Sequence, residues 1–250
     1  MSSEQTIEKM RKVKLGAMAE AYKQQLANPS TYRDLGFDER LAMLIDYESD
    51  VRDSNKVQRL ISKSEMYYKD ATPEQMDYSG DRASDKEKLL KLFDSSYISK
   101  SHSIVLEGAS GAGKTWIACA LGTAACRKFH AVKYYKMRAL IDELLIARNA
   151  LDGSYQKLMA SLHKTPLLII DDFLLHEVSV TDMGELLELI DVRLWSGSTI
   201  FCSQYKVEGW IKIIGRTPIT EAFMSRVQAS SYILDVKARD DKRINNKPQF

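Results

Sequence analysis

The residues with the clearest chemical potential form one run, Gly108-Ala109-Ser110-Gly111-Ala112-Gly113-Lys114-Thr115. Its glycines allow turns that a Cβ would block, so successive N–H groups can point inward at phosphate oxygens. Lys114 adds a mobile positive charge for the β- and γ-phosphates, and the Thr115 hydroxyl can ligand Mg²⁺. A helix opening at Lys114, with Trp116 in its first turn, would aim its N-terminus at the same anion. Residues 108–116 therefore read as a site for ATP with Mg²⁺. Further along, Leu167-Leu168-Ile169-Ile170-Asp171-Asp172 is an apolar run ending in two carboxylates. A strand of that kind brings acid next to the metal: Asp171 would hold Mg²⁺, through water, and Asp172 would polarise the attacking water as a general base.

Two weaker signals complete the set. Thr199 to Gln204 ends a buried run in polar residues, and Ser203 or Gln204 could sense the γ-phosphate; a polar pair opening a loop explains them equally well. Phosphoryl transfer gains when a guanidinium neutralises charge in the transition state, often from a neighbouring subunit. Arg226, in Glu221 to Val227, is the candidate, with Arg193 and Arg216 as alternatives and a surface charge as the bland reading of each. Lys128, Lys133, Lys136 and Arg138 could contribute to a basic nucleic-acid surface or simply to a solvated face. His102, His130, His163 and His176 are scattered and pair with no nucleophile or metal set.

The elements that must position these groups follow from periodicity. Ile7, Met10, Met18, Tyr22 and Leu26 recur at helical spacing until Asn28-Pro29, and a second helix is predicted from Asp38 into the sixties. Thr72-Pro73 and Ser79-Gly80 mark loops, and Ser84-Asp85-Lys86-Glu87 is a capping-box pattern before a third helix. From Ser103 onward, short strand signals alternate with helical ones: Ile104 to Leu106, Val132 to Tyr135, Leu167 to Ile170, Thr199 to Ser203 and Tyr232 to Val236. That alternation predicts a parallel α/β sheet flanked by helices. A boundary near Gly80 divides the chain into a small all-helical domain, 1–80, and a nucleotide domain, 81–250.

The composition sets bounds on this reading. With 250 residues, 44% hydrophobic and 28% charged, the chain can bury a sizeable core. The net charge of +2 neither requires nor excludes nucleic acid. No run is long enough to span a membrane, and no secretory signal pattern opens the chain. Cys119, Cys126 and Cys202 lie in apolar stretches without metal spacing, which suits buried, reduced thiols and a cytoplasmic address.

Taken together, the ordered motifs resemble the IstB-like helper ATPases of insertion-sequence transposition, a branch of AAA+ proteins related to DnaC-type helicase loaders. The resemblance spans nearly the whole chain. It rests on Leu15 to Ala21, Phe37 to Ala42, Gly113 to Leu121, Gly153-Ser154-Tyr155, Leu167 to Asp172, Ser198 to Gln204, and Trp210 with Ile214-Gly215. It implies an AAA+ ATPase that oligomerises on duplex DNA without strong sequence preference, bends or remodels it, and recruits a transposase of the same element for target selection. The nucleotide would lie at subunit interfaces, with Gln204 in the sensor region and Arg226 as the finger, and the helical N-terminal domain would serve self-association and partner contact.

The sequence departs from the family pattern at four places. Ser225 stands where an acid usually precedes the arginine, and Gly215-Arg216-Thr217-Pro218 stands where the family has Gly-Asp-Pro-Thr. Phe173-Leu174 replaces a glycine after the paired aspartates, and the C-terminal Gly-x-Ser-x-Arg motif is not clear in Lys237 to Asp241. A replicative helicase loader is the nearest alternative. A small-metabolite kinase would need a substrate lid that does not stand out here, and a non-hydrolysing nucleotide switch would use ATP binding alone to set assembly.

Overall fold

The computed structural model describes residues 2–76 and 86–237, and the chain divides into two units, Met1–Arg59 and Leu60–Phe250. The first unit is built from α1 (Ser3–Lys12), α2 (Gly16–Ala27) and the greater part of α3 (Phe37–Lys63). Ser2 and Gln5 form a capping box that starts α1. The helix predicted from Ile7 to Leu26 is broken, because Lys14 takes a left-handed φ of 64°. Side chains from α3 hold the break: Arg52 Nη2 donates to the Lys14 carbonyl at 2.7 Å, and Glu48 Oε2 accepts from the Met18 N–H at 2.8 Å. That N–H, and then Arg52, hold the Glu48 carboxyl below its usual range. In α2 and α3 only Ala19, Gln25 and Leu44 are buried, so polar ties carry much of this unit.

The second unit begins before the predicted boundary. Met66, Ala71 and Met76 are buried in its core, while Gly80 and the first half of the predicted capping box, Ser84 and Asp85, lie outside the described residues. Gly122 explains the fit, since a Cβ there would stand 2.4 Å from Met66 Sδ. After a short 3₁₀ turn, Pro73–Gln75, the order is α4 (Lys86–Phe93), α5 (Ser96–Ser99), β1 (Ser103–Glu107), α6 (Lys114–Arg127), β2 (Val132–Lys136) and α7 (Met137–Asn149). Then come α8 (Ser154–Lys164), β3 (Leu167–Phe173), α9 (Val180–Arg193), β4 (Ser198–Ser203), α10 (Val207–Ile214), α11 (Pro218–Ala229) and β5 (Ser231–Asp235).

The sheet has five parallel strands in the order β2-β3-β4-β1-β5. Two apolar layers cover it. One packs α6 with Leu89, Leu92 and Tyr97 against Ile104, Leu106, Ile169 and Ile200. The other packs α7, α9 and α11 against Val105, Leu168, Ile170 and Phe201. Strands buried on both faces read as continuous apolar runs, which is why Leu167 to Ile170 was legible without alternation. Because all strands run one way, the segments after β1, β3 and β4 emerge along a single edge, the usual position for a ligand in such sheets.

Candidate nucleotide site

The loop between β1 and α6 has the backbone that its glycines permit. Gly108, Gly111 and Gly113 have φ of 148°, 80° and 94°, all in the region that side chains disfavour. A Cβ on Gly108 would stand 2.3 Å from the Val236 carbonyl oxygen, so close strand packing also requires glycine there. Ala109 and Ser110 are exposed at the loop tip, whereas Ala112 is fully buried. Lys114 is largely buried, and its ammonium donates to the carbonyls of Gly108 and Ala109 at 2.7 and 2.8 Å. Thr115 and Trp116 follow in the first turn of α6, with Trp116 packed against the core. Loop, lysine and helix N-terminus therefore fit a polyphosphate.

Asp171 is buried on β3, next but one to β1 in the sheet. Tyr134 on β2 donates its hydroxyl to Asp171 Oδ2 at 2.8 Å, and the Asp172 N–H donates to Oδ1 at 2.9 Å. Burial, and then the Asp171 charge, push the Tyr134 phenol well above its usual range, which keeps it a donor. Cys202 on the intervening β4 lies against both neighbours. Its thiol reaches the Lys114 carbonyl at 4.0 Å and feels the Asp171 charge. Burial first, then Asp171, raises that thiol's pKa well above the ordinary value. Cys202 thus lies on the strand between Asp171 and the start of α6. Among the described residues no cluster of three His, Cys, Asp or Glu could hold a metal. Thr115 and Asp171 are instead the kind of sparse oxygen set that holds Mg²⁺ together with substrate phosphates.

Asp172 sits differently. The pairing of β3 with β4 shifts register between Ile170 and Phe173, and Asp172 occupies that irregularity with φ of 53°. Its carboxylate pairs with Lys136 at 3.0 Å, a contact that raises the Lys136 pKa. Leu174 also takes a positive φ, 60°, so the chain makes the turn of the absent glycine with non-glycine residues. Phe173 and Leu174 are nevertheless buried, and Phe173 stacks on Phe223, meets Phe201 edge to face and packs at a tilt on Trp210, which accounts for their apolar character. Ser203 is fully buried, donates to the Phe173 carbonyl at 3.0 Å and accepts from the Tyr205 N–H at 3.2 Å, so it braces the backbone. Gln204 follows β4, exposed, at the same edge as the loop.

The arginines separate cleanly. Arg193 is buried and locked to backbone carbonyls of Leu162, Thr165 and Ser198 and to the Thr199 hydroxyl. It is a structural cation rather than a finger, and burial lowers its pKa to about 10. Arg216 is exposed and pairs loosely with Glu221 at 3.4 Å. Arg226 pairs with Asp191 of α9 and donates to the Ala222 carbonyl at 3.0 Å. It lies by the opposite ends of the strands. Ser230 Oγ donates to the Arg226 carbonyl, and Ser103, the first residue of β1, donates its N–H to the Ser230 carbonyl. The phosphate loop begins beyond Glu107, so about 13 Å of strand separates the two ends. Of the basic residues considered for nucleic acid, Lys133, Lys136 and Arg138 pair with Glu65, Asp172 and Asp142.

Three residues escaped sequence reasoning. Tyr134 positions Asp171 and Cys202 meets the Lys114 carbonyl, and their only signal was their place within buried strands. Glu107, the last residue of β1, is buried and accepts from the Val207 N–H at 3.0 Å, which ties the start of α10 to the root of the phosphate loop. Burial raises its pKa.

A parallel sheet in this order, with a phosphate loop after β1 and a buried acid on β3, defines a P-loop nucleotide-binding protein of the AAA+ fold. Solved structures agree at the level of fold. The crystal structure of the DnaC helicase loader matches with a TM-score of 0.60 at 16% identity, covering 68% of this chain and 98% of that one. AMPPCP-bound DnaA from Aquifex aeolicus matches with a TM-score of 0.56 at 16% identity, covering 69% and 52%. The chain belongs to the family of IstB-like ATP binding proteins, whose family model matches residues 8–249. Among its relatives, an ATP-binding protein of an insertion sequence in Pseudomonas fluorescens is 36% identical over 204 residues, 82% of this chain and 87% of that protein. An insertion sequence ATP-binding protein of Sinorhizobium fredii is 30% identical over 97% of this chain and 98% of its own length.

Proposed function

We propose that this chain is a Mg²⁺-dependent ATPase that assembles on duplex DNA, remodels it, and recruits the transposase of the same insertion sequence to a target. The observation that carries the reading is the division of the phosphoryl-transfer groups between opposite edges of one sheet. Gly108–Thr115, Asp171, Asp172 and Gln204 lie at one edge and Arg226 at the other. Arg226 is therefore out of reach of its own chain's loop and suited to a neighbouring copy's. Within one site, Lys114 faces the β- and γ-phosphates, and Thr115 and Asp171 hold Mg²⁺, which neutralises phosphate charge when bound. Asp172 accepts a proton from the attacking water once it leaves Lys136, and Gln204 orients that water or reads the γ-phosphate. The neighbour's Arg226 then stabilises charge on the transferring group.

The family's insertion-sequence members support the transposition setting, and a DnaA solved with AMPPCP and single-stranded DNA supports nucleic acid as the track. Exposed apolar side chains on α3, Phe37, Met43 and Ile45, support the first unit as a contact surface for a partner or a second copy. No helix among the described residues can cross a membrane, and the three cysteines are free, which suits a reducing cytoplasm.

The test is sedimentation with a non-hydrolysable ATP analogue and duplex DNA, followed by imaging of the assemblies. Nucleotide-dependent oligomers on DNA are expected; a protein that stays monomeric would sink the proposal. The likeness to a helicase loader keeps loading of a replicative helicase as the second reading. Capture of a helicase, and not of the transposase, in a pull-down would favour it.

A further inference from the structure

The β5 end of the sheet carries a feature that the nucleotide site does not use. Among the described residues β5 pairs only with β1. Two bonds fix which way its peptide groups face: the Ser230 carbonyl accepts from Ser103, and the Val236 N–H donates to the Glu107 carbonyl. Peptide groups alternate sides along a strand. Ser230, Tyr232, Leu234 and Val236 therefore direct their peptide groups toward β1, and Ile233 and Asp235 direct theirs to the open edge. Beside that edge, between β5 and the α4–α5 segment, lies a cleft of about 520 Å³. Leu92, Tyr97 and Leu234 supply apolar lining, and Lys88, Lys91, Lys100 and Asp94 supply charge, with Lys91 paired to Glu87 at 2.6 Å. Tyr232 and Ile233 stand at its side, 43% and 42% exposed, and no residue of the phosphate loop lines it.

We propose that this cleft docks an extended acidic segment of a partner protein, added as a further strand along the open edge of β5. An exposed apolar edge without proline or lysine on the strand itself is normally guarded against pairing; among the described residues this edge is unpaired, Asp235 is its one charge, and the lysines lie on the adjoining α4–α5 segment. Main-chain bonds to Ile233 and Asp235 would set the direction of the added strand. Alternate side chains would enter the apolar lining, and acidic ones would meet the lysines. The chain's own residues 238–250 do not fit this description, since Arg239, Lys242, Arg243 and Lys247 outnumber Asp240 and Asp241. Single-stranded nucleic acid would need free aromatic faces to stack on. The Tyr232 ring is instead edge-on to His102 at 5.5 Å, with its hydroxyl 3.2 Å from His102 Nδ1.

The experiment measures anisotropy of a short fluorescein-labelled peptide of alternating valine and glutamate against the full chain. Saturable binding is expected, about tenfold tighter than for a valine–lysine control, and an unlabelled oligothymidylate should not compete. Ile233→Pro removes one outward N–H without touching a bond to β1, and should weaken binding about tenfold. The double change K91E/K100E should do the same. Both variants should bind a fluorescent ATP analogue as the wild type does, which confirms the fold. Equal binding of both peptides, full affinity in a folded Ile233→Pro protein, or full affinity in the lysine double variant would overturn the proposal. Displacement of the peptide by oligothymidylate would reassign the cleft to nucleic acid.

Discussion

Tyr134→Phe removes one oxygen and isolates the part of the site that holds Asp171. The hydroxyl donates to a buried carboxylate at 2.8 Å, and the ring can stay where it is. A hydrogen bond to a charged acceptor contributes ~1.5–3 kcal/mol. Asp171 would keep the Asp172 N–H, so its charge would be under-solvated rather than bare. Each kcal/mol moves Tm by ~2–4 °C in a chain of this size, so thermal unfolding should fall by ~3–12 °C. The functional effect should be separable from the loss of stability. Residues that orient a metal-holding carboxylate typically change metal affinity by ~10–100-fold. Titration of a fluorescent ATP analogue well below the new Tm should show weaker binding with Mg²⁺ present and unchanged binding without it. An unchanged Tm would refute the hydrogen bond. A lowered Tm with the Mg²⁺ dependence intact would refute the assignment of Asp171 to the metal.

Two other predictions concern neighbouring groups. Lys136→Ala removes a half-exposed ion pair worth ~0–1 kcal/mol, so unfolding should barely change, whereas release of Asp172 should raise basal phosphate release. Lower turnover at unchanged ATP affinity would contradict the role given to Asp172. The thiols of Cys119 and Cys126 are raised by burial from 9.0 to about 11 and about 12, so native protein at neutral pH should resist a thiol reagent until unfolded. Because the unfolded thiols ionise first, stability should decline as pH climbs above 9.0 toward those values. Rapid labelling of the native chain would show that these sites open.

Much of the nucleotide edge was legible because its chemistry is local. A glycine loop between a strand and a helix needs only contiguous residues, and Leu167 to Asp172 announces a buried strand that carries its acids outward. What was not legible depends on pairing across the sheet. Tyr134 reaches Asp171 only because β2 flanks β3, Cys202 reaches Lys114 only because β4 lies beside β1, and Glu107 acts on α10 for the same reason. The break at Lys14 was hidden for the same reason, since Arg52 and Glu48 that hold it come from another helix. Arg193 shows the converse: as a charge in a helix it resembled a surface residue, and its carbonyl partners come from two separate segments, the end of α8 and the start of β4.

Mixing two inactive proteins tests the shared site most directly. Lys114→Ala should abolish phosphate release by emptying the loop of its cation, and Arg226→Ala should abolish it by removing the neighbour's guanidinium. Combined on duplex DNA with ATP, the Lys114→Ala chains supply Arg226 to intact loops on the Arg226→Ala chains. Phosphate release should reappear in the mixture in proportion to mixed contacts. A mixture as inactive as either parent, with DNA-bound assemblies present, would contradict it.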